Sequence, residues 1–148
     1  MSRTSWIIIL LGGSAVSVLA AVVIGRSSNV DPAKSRPINP DSIVMLGDSI
    51  TEEGPWSSLL PEASIVNRGA SGFTTEQLVT IAREVAAADP RAVFVLTGTN
   101  DIRDGRPAAW TRARLAAILD VFEETAPRTT VVIQTILPRS DRTIDVDQ

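Results

Sequence analysis

Residues 43–51, Ile43-Val44-Met45-Leu46-Gly47-Asp48-Ser49-Ile50-Thr51, pass in one step from four consecutive apolar side chains to a Gly-Asp-Ser turn. A short unbroken apolar run closed by turn residues is the pattern of a strand buried on both faces, as in a parallel sheet covered by helices. The same pattern returns three times. Residues 64–66 lead into Asn67-Arg68-Gly69-Ala70-Ser71-Gly72, residues 92–96 lead into Thr97-Gly98-Thr99-Asn100-Asp101, and residues 130–135 form a fourth run.

Between the runs the period lengthens. Thr74 and Gln77 are spaced as a capping box, and Leu78, Ile81, Ala82 and Val85 recur at helical intervals until Pro90. Pro107 suits a helix start, Leu115, Ile118, Leu119 and Phe122 make an apolar face, and Pro127 lies just beyond its end. Strands alternating with helices predict an α/β domain on a parallel sheet with right-handed crossovers. The polar, glycine-containing loops all follow strands, at the carboxyl edge where such sheets bind ligands.

Of 148 residues, 44% are hydrophobic and 21% charged, the balance of a single globular domain. The formal net charge of -3 argues against nucleic acid as a partner, because phosphate binding needs a clustered basic face. There is no Cys and no His. Disulfides, thiolate metal sites and the commonest general base are thereby removed.

Residues 6–24 carry no charge and would span about 28 Å as a helix, close to the thickness of a bilayer core. The segment 1–25 is therefore expected to be an N-terminal transmembrane anchor or a signal segment. Residues 26–41, with Pro32, Pro37 and Pro40, read as an extended linker, and 42–148 as the folded domain. Arg26, Lys34 and Arg36 after the helix favour a cytoplasmic domain, whereas a short tail with a single Arg3 is typical of export signals. Export is the reading adopted: a membrane-anchored, extracytoplasmic domain, or a secreted one if the segment is cleaved.

Three loops at the carboxyl edge offer groups suited to acyl transfer. Ser49 is placed as a nucleophile whose own N–H can face a developing oxyanion. Gly72 lacks a side chain and lets its N–H approach closely, and Asn100 can donate from its side-chain amide. Each has a plainer meaning as a turn former, a positive-φ residue or a loop residue bonding its own backbone. Asp48 and Asp101 read as braces for these loops. With Asp104 they could in principle hold Mg2+, but no phosphate-binding loop accompanies them, and no metal site is expected. The G-x-S-x-G elbow, the Walker A loop and G-x-G-x-x-G are all absent.

Taken together and in order, Gly47-Asp48-Ser49, Asn67 to Gly72 and Gly98-Thr99-Asn100-Asp101 resemble the sequence blocks of the SGNH (GDSL-type) serine hydrolases. The resemblance implies a three-layer, flavodoxin-like parallel sheet, Ser49 as nucleophile, and Ser49, Gly72 and Asn100 as the oxyanion hole. It also implies no cofactor, and a small-molecule, glycan or lipid ester as substrate. The family's base is a His in a D-x-x-H motif, and no His is present. The chain is accordingly expected to lack the family's C-terminal strand and helix, with the catalytic Asp and His, and to be inactive alone. The alternative is a non-catalytic envelope module that binds acylated ligands.

Overall fold

The computed structural model describes residues 31–136, together with residues 7–8 and 21–22. The last four form two-residue strands, β1 (Ile7–Ile8) and β2 (Ala21–Val22), paired antiparallel. They depart from the continuous helix expected over 6–24. The rest of that expected anchor lies outside the described residues. Among the described residues no helix is long and apolar enough to cross a membrane.

The unit beginning at Asp31 carries α1 (Pro32–Ser35), β3 (Ile43–Gly47), α2 (Ser49–Glu53), α3 (Trp56–Leu59), β4 (Ile65–Gly69) and α4 (Thr75–Ala87). β5 (Ala92–Leu96), α5 (Thr99–Arg103), α6 (Ala108–Thr125) and β6 (Thr130–Ile133) follow. The sheet is parallel throughout, in the order β4-β3-β5-β6. The chain therefore leaves central β3 first to one side and then to the other. The carboxyl end of β3 lies at this switch in strand order, where loops splay apart and leave a crevice.

One face is well covered. Val44, Leu46, Val66, Val93 and Val95 meet Leu78, Ala82 and Val85 of α4 and Ile118, Val121 and Phe122 of α6 in a single buried core. α4 starts at the expected capping box, with the Gln77 side-chain oxygen accepting from the Thr74 N–H at 3.0 Å. On α6 the buried stripe runs 118, 121, 122, so Val121 is inside and Leu119, expected on the apolar face, is exposed. Residue 119 is rotated about 100° from its neighbour 118, off the stripe.

The other face is thinner. Ala33, Met45 and Ile65 form a small cluster with Trp56 and Phe94, covered among the described residues only by short helices. β5 is accordingly fully buried on alternate residues, not throughout, and β6 leaves Val132 and Ile133 exposed.

Part of the expected linker is folded. Arg68, the fourth residue of β4, donates to the carbonyls of Lys34 at 3.2 Å and Arg36 at 3.1 Å, and Arg36 donates to the Ile65 carbonyl at 3.4 Å. Asp31 caps α1 through the Ala33 N–H. The proline-rich composition hid this, because the segment is held by carbonyl bonds and by isolated apolar residues, Ala33 and Ile38, with no helical periodicity.

Candidate active site

The β3–α2 turn is packed too tightly for any side chain at Gly47. A Cβ there would overlap the Thr51 side chain and the Leu96 carbonyl of β5. Gly69 plays the same part at the end of β4, where a Cβ would lie 2.6 Å from Glu52 Cα and 2.7 Å from the Thr51 carbonyl carbon. The two glycines let α2 sit directly on the ends of both strands. Asn67, almost fully buried, ties the arrangement together: its amide donates to the Glu52 carbonyl at 3.1 Å and its oxygen accepts from the Gly69 N–H at 2.8 Å.

Ser49 is the first residue of α2, half-buried, and its N–H has no intrahelical acceptor at that position. Its hydroxyl has no hydrogen bond among the described residues. Gly72 lies in the loop after β4. The Phe73 N–H donates to the Ala70 carbonyl at 3.2 Å, closing a turn in which Gly72 has φ +77°. That conformation favours glycine. A Cβ on Gly72 would meet nothing within 4 Å, so the space above its backbone is open. Asn100 is on α5 after β5, 6% exposed, with Nδ2 donating to the Phe73 carbonyl at 2.7 Å.

Ser49, Gly72 and Asn100 thus follow three adjacent strands, β3, β4 and β5. At about 4.8 Å between strands, the three loops fall within a width of about 10 Å. Asn100 and the Gly72 loop are joined through Phe73.

Asp101 is fully buried. Its two oxygens accept from the Thr75 N–H at 2.9 Å and the Thr75 hydroxyl at 2.7 Å, so α5 caps the start of α4. A carboxylate there also meets the positive end of the α4 dipole. Asp101→Ala would strand a buried N–H and a buried hydroxyl, and is expected to cost about 3 kcal/mol of unfolding free energy. Urea denaturation checks this; a loss below about 1 kcal/mol would remove the bracing role.

Asp48 is the N-cap of α2. Oδ1 accepts from the Ile50 N–H at 3.0 Å, while Oδ2 is buried with no partner among the described residues. Burial pushes this carboxyl above the usual range, the Ile50 N–H opposes that, and the charge of Asp101 adds to the rise. A carboxyl that holds its proton more tightly when folded contributes most at low pH. That contribution is lost as pH rises from the unfolded value near 4 through the raised folded one. Asp48→Asn is therefore expected to have the higher Tm above this window, with the difference shrinking as pH falls towards about 4. A gap independent of pH in thermal melts would count against it.

Sequence reasoning missed Thr75, Phe73 and Arg103. Arg103 donates to Asn100 Oδ1 at 3.0 Å, and its spacing of three residues on a helix was the available signal. For Thr75, 26 residues before Asp101, there was none. Among the described residues no three His, Cys, Asp or Glu side chains group to hold a metal ion.

Residues 45–148 match the GDSL-like lipase/acylhydrolase family. Similar solved structures include a Streptococcus pneumonia protein described as a platelet activating factor, 30% identical with TM-score 0.61, covering 74% of this chain and 52% of that one. A GDSL-like lipase from Bacteroides thetaiotaomicron is 24% identical with TM-score 0.58, covering 76% and 58%. AlinE4, an SGNH-hydrolase family esterase, is 23% identical with TM-score 0.56, covering 70% and 62%. The chain thus spans less than two thirds of each. No curated protein matches it.

Proposed function

Because this chain belongs to the GDSL-like lipase/acylhydrolase family, we propose that it presents the nucleophile and oxyanion hole of a serine hydrolase of carboxylic esters. The observation that carries this is that Ser49 at the start of α2, Gly72 in its loop and Asn100 on α5 directly follow three adjacent strands at the switch in strand order.

In the proposed step Ser49 Oγ attacks the ester carbonyl carbon while a base takes its proton. The carbonyl oxygen becomes an oxyanion facing the Ser49 and Gly72 N–H groups and the Asn100 amide. Collapse expels the alcohol, which takes the proton back, and leaves an acyl-serine for water to cleave. Gly72's turn and the Phe73 link hold two of the donors in advance, so little reorganisation accompanies charge development.

The 148 residues contain no His, the usual base for such a step. Added free imidazole can serve as one. Hydrolysis of p-nitrophenyl acetate by the chain is expected to be near background in non-nucleophilic buffer. It should rise with the concentration of neutral imidazole, with a titration midpoint near 7. Imidazole's own reaction with the ester, measured without protein, is subtracted. No protein-dependent increase at saturating imidazole would favour the second reading, suggested by the missing His, of a module that binds acylated ligands without cleaving them.

A further inference from the structure

The Asn100 amide is held at both ends. Nδ2 donates to the Phe73 carbonyl at 2.7 Å, and Oδ1 accepts from Arg103 Nη1 at 3.0 Å. A guanidinium only donates and a peptide carbonyl only accepts, so these partners decide which end of the amide is oxygen. The amide is planar. Once one N–H is set on Phe73, the direction of the other is set as well. Arg103 is located in turn, since its Nε donates to Asp104 Oδ1 at 2.8 Å.

We propose that Arg103 is a positioning residue for the oxyanion hole, fixing the orientation of the Asn100 amide and polarising its second N–H towards the forming oxyanion. The inference rests on the functional reading above and deepens it. A cationic donor on Oδ1 draws electron density to the oxygen and makes the amide N–H groups stronger donors. The Arg103 side chain is half exposed, so water screens its charge, and orientation is the larger part of the effect. Without Arg103 the oxygen loses its donor, and rotation about χ2 can exchange the two ends. The correct orientation then depends on Phe73 alone.

The test joins a spectroscopic and a kinetic measurement on the full chain. In 15N-labelled protein the Asn100 side-chain amide pair is identified by its loss in Asn100→Ala. In Arg103→Ala the pair is expected to shift and exchange faster with solvent, while backbone signals of the sheet stay in place, and Arg103→Lys should recover part of the change. In imidazole-assisted hydrolysis Arg103→Ala is expected to lower kcat about 10-fold with KM unchanged, the mark of a group acting on the transition state.

An Asn100 pair unaltered in Arg103→Ala overturns the proposal whatever the kinetics show. An altered pair with unchanged kcat overturns the catalytic part. A wild-type chain with no Ser49-dependent turnover sinks the functional reading instead, and the clamp is then judged by the amide signal alone.

Discussion

Ser49→Ala is expected to abolish covalent labelling of the chain by a fluorophosphonate. The reagent forms an Oγ–P bond with loss of fluoride only at a serine whose oxyanion-like product is stabilised. Ser49 stands at the start of α2 after β3, and the space above the Gly72 backbone, after neighbouring β4, is open. Ser57, by comparison, has a buried hydroxyl on the thinner face. Labelling of the wild type will be slow, because removing the base of a Ser-His pair costs about a million-fold in kcat in subtilisin. It should therefore be followed over hours with imidazole present. Intact mass spectrometry is expected to show one adduct on the wild type and none on Ser49→Ala. An equal adduct on both would move the nucleophile elsewhere.

Asn100→Ala carries the next largest expected effect, a fall in kcat of about 100- to 1,000-fold for imidazole-assisted ester cleavage. KM should change little, since the ground-state carbonyl oxygen does not occupy the oxyanion's position. The substitution also removes the bond to the Phe73 carbonyl and leaves that acceptor unpaired, so some stability goes with it. Circular dichroism at the assay temperature separates the two effects. A folded variant with wild-type kcat would take Asn100 out of the oxyanion hole.

Much of this arrangement is legible in the amino-acid sequence, and the reason lies in particular residues. Val44, Leu46, Val93 and Val95 are strand residues buried beneath two helices, and such runs stand out from polar neighbours. The loops that follow them are polar because they lie at an edge, so Ser49, Gly72 and Asn100 can be picked out by position. Local spacing also reveals the Thr74–Gln77 box.

What escapes is either too short or too distant in sequence. α2 and α5 have five residues each, less than two turns, and show no period. The Asp101–Thr75 bonds join residues far apart in sequence, and nothing local in either residue announces the other. The thin cover on the second face is hidden for a related reason: Phe94 and Met45 are apolar whichever way they point, and composition alone does not say how much helix lies over them.

The bonds from Arg68 to the carbonyls of Lys34 and Arg36 have a mechanical consequence. Tension arriving along the chain from before Asp31 reaches α1 and is carried sideways, into β4 through this staple and into α2 through the Lys34–Glu52 ion pair. β3, which leads into Ser49, follows Arg36 in the chain and lies behind the staple on that path. A tug on the N-terminal side would therefore be shared between β4 and the helix that begins at Ser49 before it is passed to β3 along the chain.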